Sequence, residues 1–416
     1  MPNRTTTAVP GVQINARIAS DPRGQARFLL RLPDDWNGNL VVAGASGTRS
    51  EFNGDFAWSD FVLQKGYAYA SQNKGTLNLI LFVNPATDPL ACRLNPSSQI
   101  FAHFYDNDPG QEFTRWAEYM AEAARLARRG ADARYGHEPR RTYAVGTSNG
   151  GYQVRRAVES YPELFDGGVD WEGTFVDPDL PNILVHLPPA ILNFPDYVGS
   201  RDPNSTAAKN IRAAGYPPDI VNGNTSLWTN YSNAFWEVTQ CQWQKRLDPS
   251  YDTYGSGTGT YNYWARRSVS EVGANLASFA TTGKIRRPLV TVAGTMDALL
   301  PIDLHARAYA RRVAEHLARR DRDDDRDRDD RAAYRLYEVQ NGNHIETYKP
   351  PAPPGIQPPT FAQLEYIEPH AQRAFDLLVD SVEHGITLPA SQCIPRGGAI
   401  AESPAQPGHC VSLFVP

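Results

Sequence analysis

Gly146-Thr147-Ser148-Asn149-Gly150 has the spacing G-x-S-x-G, that of a sharp strand-to-helix turn that lifts a serine hydroxyl clear of a sheet. Glycines flank the serine because the backbone there passes too close to its neighbours for a side chain. A strand pattern, Arg141 to Val145, ends one residue earlier, and a helical pattern running to Ser160 begins at once. The helix dipole and the backbone N–H of Asn149 therefore point to where an oxyanion would develop. A serine hydroxyl is a weak nucleophile without a general base, and the base needs a third group to orient it. On this kind of turn the partners follow in the order acid, then histidine, each just past a strand. Asp297 lies four residues beyond Ala293, and His344 five beyond Val339. The rivals for the acid are Asp303, inside the next helix, and the Asp170/Glu172 pair, one strand too early. The other histidines, His103, His137, His186, His305, His316, His370, His384 and His409, lack a preceding strand and read as solvent-facing or core residues. Gly44-Ala45-Ser46-Gly47-Thr48 follows an early strand, and its small residues suit a second oxyanion donor, Ser46 or Ala45. A phosphate cradle is disfavoured there, because neither G-x-G-x-x-G nor a P-loop lysine follows.

These residues must be held by a sheet. Strands are expected at Arg27 to Leu32, Asn39 to Ala43, Tyr67 to Ser71, Arg141 to Val145, Phe165 to Val169, Pro288 to Ala293 and Tyr334 to Val339. Helices are expected at Glu112 to Arg129, ending at Gly130, from the Gly146–Gly151 turn through Ser160, at Leu304 to about Arg319 and at Gln363 to Glu383. Such alternation implies an α/β fold with a mostly parallel central sheet and helices on both faces. Between Asp177 and Lys284 the chain is rich in Pro, Asn, Gly and aromatics, and no long helix is expected beyond short stretches such as Val269 to Ala280. Four of the eight tryptophans fall there, which suggests an inserted lid with its own small core. The expected organisation is a first core part over 1–176, the insertion over 177–284, a second core part over 285–390 and a tail over 391–416.

The 416 residues carry 41 Lys+Arg against 46 Asp+Glu, a formal net charge of −5, so a nucleic-acid partner is not expected. No window is apolar enough to span a membrane, and no signal peptide is visible. The four cysteines lack metal-site spacing, and zinc is not expected. Cys393 and Cys410 bracket a Pro/Gly-rich tail with little apolar material, where a disulfide would stabilise most; Cys92 with Cys241 is a second pair suggested by parity alone. Disulfides would place the chain in an oxidising compartment, secreted or periplasmic; unpaired cysteines would fit the cytoplasm. The Asp/Arg run 319–331 lacks the glycine and closing glutamate of a calcium loop and reads as a solvated charged extension.

With these residues in place, the chain resembles an α/β hydrolase, and it is similar to the tannase and feruloyl esterase family and to 3-hydroxybutyrate oligomer hydrolases. The resemblance is carried by Gly66 to Thr76, Gly146 to Gly151, Tyr161 to Gly168, Gly294 to Pro301 and Gly342-Asn343-His344. It covers both sheet segments but not the insertion, and it implies an α/β-hydrolase fold and a serine esterase working through an acyl-enzyme; the aromatic lid would supply a largely apolar pocket, compatible with aromatic or hydroxyalkanoate esters. Ser148 would be the nucleophile, His344 the base and Asp297 its orienting acid, with Asn149 and residue 45 or 46 holding the oxyanion. No cofactor is required. Tannase-type enzymes carry bonded cysteines just before the serine and just after the histidine, where this chain has Thr147 and Ile345. The family's lid calcium does not carry over, since Asp177-Pro178-Asp179 is its only counterpart. The same triad could serve an amide or peptide hydrolase, and a non-catalytic binding protein could keep the fold.

Overall fold

Nine strands form one sheet in the computed structural model, which describes residues 7–22, 24–47, 50–52, 56–75, 79–81, 92–93, 100–102, 114–251, 258–320, 333–346, 348 and 360–416. The strands are β1 (Gly11–Arg17), β2 (Arg27–Pro33), β3 (Asn39–Gly44), β4 (Ala68–Gln72), β5 (Arg141–Thr147), β6 (Gly167–Trp171), β7 (Leu289–Gly294), β8 (Tyr334–Val339) and β9 (Gln392–Ile394). Their order is β1-β2-β4-β3-β5-β6-β7-β8-β9. All pairs from β4 to β9 are parallel, and β1 and β2 are antiparallel additions at one edge. A parallel sheet is buried on both faces, so its strands read as continuous apolar runs. In β3, Leu40 and Val42 join one core while Val41 and Ala43 join the other.

Helices α2 (Thr114–Tyr135) and α3 (Asn149–Ser160) cover the first face, and α1 (Phe56–Leu63) the second. The sequence reading ends α2 at Gly130, but the helix continues. Gly130 lies so close to β2 that an added Cβ would collide with the Leu30 side chain, and the terminating glycine is Gly136 at φ +81°. β6 begins two residues later than expected, which leaves Asp170 inside the strand and Glu172 just beyond it.

A larger correction concerns the excursion between β6 and β7. It contains α4 (Ile183–Val198), sixteen residues long with Pro188, Pro189 and Pro195 inside it, and α5 (Glu237–Leu247), besides shorter helices. Asn182 caps α4 through its side chain, and Ile183, Leu187, Ala190, Ile191, Phe194 and Tyr197 form one buried stripe. Tertiary burial thus outweighs the hydrogen bonds the prolines remove. The excursion shares a single hydrophobic cluster with Met296, Ala298, Leu299 and Leu300, at the C-terminal ends of the strands.

Two further helices follow, α6 (Ala306–Arg320) and α7 (Glu368–His384). The reading starts α7 at Gln363; Pro369 in the first turn sets the later start. Both cysteine pairs are disulfides: Cys92–Cys241 ties the strand at residues 92–93 to α5, and Cys393–Cys410 staples β9 to the tail. Among the described residues no helix is long and apolar enough to cross a membrane. Thr48, His103, Glu112, Phe113 and residues 321–331, on which parts of the sequence reading fall, lie outside the described residues.

Candidate active site

Every group singled out for chemistry lies just past the C-terminal end of a parallel strand. Ser148 follows β5 with φ 59° and ψ −121°, a conformation a non-glycine residue holds only at a cost. Its backbone N–H donates to Trp171 O at 2.9 Å. The turn is feasible because Gly44, Gly146 and Gly150 pass backbone to backbone; a Cβ at Gly44 or Gly146 would strike the carbonyl oxygen of Gly150.

Ser148 Oγ lies 3.0 Å from His344 Nε2, and His344 Nδ1 lies 2.7 Å from Asp297 Oδ2. All three residues are buried. Asp297 Oδ1 accepts the N–H groups of Leu299 and Leu300, each at 2.7 Å, so this carboxylate is anchored as an acceptor. An ionised carboxylate only accepts, which puts the imidazole proton on Nδ1 and leaves the Nε2 lone pair for the serine hydroxyl. Glu172, Asp297 and His344 could also present three ligand atoms to a metal ion, all within 4.8 Å of one another. A cation there would need the Nδ1 lone pair, so it would compete with the Asp297–His344–Ser148 chain.

The loops are braced against each other. Met296 N donates to Gly342 O at 2.7 Å, and Asn341 N to Thr295 Oγ1 at 2.9 Å. Two aromatic residues of the excursion reach in: Tyr231 Oη donates to Asn343 Oδ1 and Trp236 Nε1 to Ala298 O, both at 2.7 Å. Behind the loops stands the tail. Asn341 exchanges two hydrogen bonds with Val415, Gln340 Nε2 donates to Ser412 O, and Thr295 Oγ1 to Leu413 O.

Asn149 is the first residue of α3, its side chain accepting from Thr174 Oγ1 at 3.1 Å. Of the two residues expected to supply a second donor, Ala45 is unsuited. Its N–H is already given to Gln153 Oε1 at 2.7 Å, which leaves Ser46. The Ser46 loop is held by Lys74, a fully buried lysine whose Nζ donates to Ser46 O at 2.5 Å and Gly47 O at 3.0 Å. Sequence reasoning missed Lys74, Gln153, Tyr231 and Trp236 as supports. The only hint was Lys74 beside Gly75 just past a strand; the others become visible only in contact.

His186 and His305 form a buried relay between α4 and the segment after β7. Phe175 N donates to His305 Nδ1 at 3.0 Å, so His305 carries its proton on Nε2 and donates to His186 Nε2 at 2.9 Å; His186 Nδ1 then donates to Tyr216 Oη at 3.0 Å. Both imidazoles must be neutral. Burial pushes His186 down to about 3 and His305 well below its ordinary value. The unfolded chain takes up these protons below about pH 6.5 and the folded one does not, so stability falls as pH drops from there to about 3. Glu346, raised to about 7 by burial and the neighbouring Glu368, contributes with the opposite sign between about pH 4.5 and 7. The wild-type-minus-His186→Gln difference in melting temperature isolates the imidazole. It is expected to shift against wild type on acidification from pH 6.5 to 4; a difference independent of pH would refute the neutral relay.

Feruloyl esterase B from Aspergillus oryzae superposes with a TM-score of 0.53 at 13% identity, covering 90% of this chain and 80% of that one. Tannin acyl hydrolase from Aspergillus niger gives 0.51 at 12% identity, covering 92% and 80%. The fold is that of an α/β hydrolase. Within this α/β-hydrolase fold, residues 244–411 match the family model described as 3HB-oligomer hydrolase, a segment that contains Asp297 and His344 but not Ser148. The D-(-)-3-hydroxybutyrate oligomer hydrolases of Burkholderia thailandensis and Burkholderia pseudomallei are 30% and 29% identical over 138 and 146 residues. Those stretches are 32% and 34% of this chain but 17% and 18% of the relatives, so the match spans under a fifth of their length.

Proposed function

We propose that this α/β-hydrolase chain is a serine carboxylic ester hydrolase. The carrying observation is the unbroken hydrogen-bond chain from Ser148 Oγ through His344 to Asp297. His344 Nε2 takes the Ser148 proton as Oγ bonds to the ester carbonyl carbon. Asp297 holds the tautomer and stabilises the imidazolium, and the N–H groups of Asn149 and Ser46 receive the oxyanion. The imidazolium then returns its proton to the leaving alcohol, and water deacylates the enzyme by the same route in reverse. The excursion over 177–284 serves as a fixed aromatic lid, its contacts with Asn343 and Ala298 orienting the two loops.

Short hydroxyalkanoate oligomers are the favoured substrates, because the matched segment holds the acid and histidine loops. A panel of 3-hydroxybutyrate dimer and trimer esters, methyl ferulate, methyl gallate and p-nitrophenyl esters with matched anilides tests this. Oligomer esters are expected to give the highest kcat/KM; faster anilide turnover would replace the ester reading with an amide one.

The tail is expected to matter for rate. Deleting residues 409–416 removes the tail partners of Thr295 and Asn341 together with the Cys393–Cys410 disulfide, and a misplacement of about 1 Å costs roughly 100-fold in rate. The rate of Ser148 labelling by a fluorophosphonate should drop by about that factor with the far-ultraviolet spectrum unchanged; an unaltered rate would show the tail to be dispensable. Two disulfides support an oxidising compartment. Thiol titration of denatured, unreduced protein should find no free cysteine, and four would overturn it.

A further inference from the structure

We infer that Glu172 is a second carboxylate partner of His344, a positioning residue that shares the imidazole with Asp297; the inference rests on the hydrolase reading above. β6 lies between the strand that ends at Ser148 and the strand that leads to Asp297, so the residue following β6 stands directly behind the triad. That residue is Glu172. Its Oε2 is 3.7 Å from His344 Nδ1, and both side chains are almost completely buried. Its Oε1 accepts Gly294 N–H at 2.9 Å, and its own N–H donates to Val292 O at 2.9 Å, which locks the residue to the neighbouring strand. The backbone adopts φ 54°, a left-handed conformation that glycine holds more easily. Gly294 in turn makes room, since a Cβ there would press on Glu172 Oε1 and on the Gly342 carbonyl.

The chemistry follows from the spacing. While His344 is neutral, its Nδ1 proton belongs to Asp297 at 2.7 Å. When Nε2 takes the serine proton, the ring becomes cationic, and a carboxylate at 3.7 Å supplies roughly 70% of the attraction of one at 2.7 Å in the same medium. No bond to Glu172 forms or breaks. Besides Asp297, the titratable groups facing this cluster among the described residues are Tyr231 and Tyr216 from the excursion and His305. The tyrosines are raised well above their usual value and His305 is lowered well below, so all three stay neutral. Arg155 and Asp170 beneath them compensate each other as a fully buried pair at 2.6 Å. Among the described residues, Glu172 and Asp297 are therefore the carboxylates that stand against the ring. The sequence reading set Glu172 aside as one strand too early; the adjacency of β6 and β7 brings it back.

The decisive measurement is the imidazole NMR titration of His344 in wild type, Glu172→Gln and Asp297→Asn. Glutamine keeps an acceptor for Gly294 N–H and removes the charge. The His344 midpoint should fall by about one unit or more in Glu172→Gln, the acid limb of kcat/KM should move down equally, and KM should stay constant. Asp297→Asn should lose no more than about 100- to 1000-fold in kcat, because the Glu172 carboxylate 3.7 Å from Nδ1 still attracts the imidazolium, and the double variant should approach the roughly 10⁴-fold loss of an unassisted serine–histidine pair. An unchanged midpoint in Glu172→Gln overturns the inference. Should that variant not fold, a full 10⁴-fold loss in Asp297→Asn alone overturns it, and a smaller one supports it. The NMR midpoint reads Glu172 whether or not Ser148 is a nucleophile, whereas fluorophosphonate labelling of wild type reads the nucleophile alone, so the two failures are distinguishable.

Discussion

Ser148→Ala is expected to abolish fluorophosphonate labelling and to lower kcat by about 10⁴- to 10⁶-fold. The substitution removes one atom, Oγ, which sits 3.0 Å from His344 Nε2. The rest of the site survives it. His344 keeps its 2.7 Å bond to Asp297, Asp297 keeps its two backbone donors, and the Ser148 N–H keeps Trp171 O. Alanine tolerates the same φ as serine, so the variant should melt within a degree or two of wild type. His344→Ala should lose about as much, and the pair together hardly more, because both act on one proton transfer. Labelling that persists in Ser148→Ala, or a wild-type protein that resists the reagent while folded, would end the hydrolase reading.

Removing the Cys92–Cys241 disulfide is expected to destabilise the protein by about 5 kcal/mol, the larger of the two disulfide effects. The bond joins positions 149 residues apart. Loop closure of that length removes entropy worth about 5 kcal/mol from the unfolded chain, against about 3 kcal/mol for a loop as short as Cys393–Cys410. Cys92 and Cys241 both lie in the cluster that packs the excursion onto Met296, Ala298 and Leu300, so the loss should appear first as loosening of the excursion. Urea unfolding of Cys92→Ser/Cys241→Ser beside Cys393→Ser/Cys410→Ser measures both. The first pair should lower the midpoint more; the second should slow Ser148 labelling more, because its tail touches Thr295 and Asn341. Equal midpoints would contradict the loop-length argument.

Much of the fold could be read before any coordinates. β8 spans the residues expected, and the central strands β3 and β7 showed as nearly continuous apolar runs because both faces are buried. Helix ends were less legible, since a glycine can end a helix or make room for a neighbour, and only packing distinguishes Gly136 from Gly130. The proline-rich α4 was illegible for a related reason: local propensity opposes it and burial maintains it. Strands β1 and β9 were missed, being an exposed edge and three residues pinned by a disulfide.

What the sequence determines by itself is the set of residues that could react and their order, because G-x-S-x-G states a backbone geometry and each partner follows a strand. Local spacing carries that information. Which carboxylates meet His344, which N–H in the Ser46 loop is already spent on Gln153, and that Lys74, Tyr231 and the tail hold the loops, were decided only by tertiary structure. These are contacts between residues far apart in the chain. They depend on strand order, and no local pattern encodes that β6 lies beside β7.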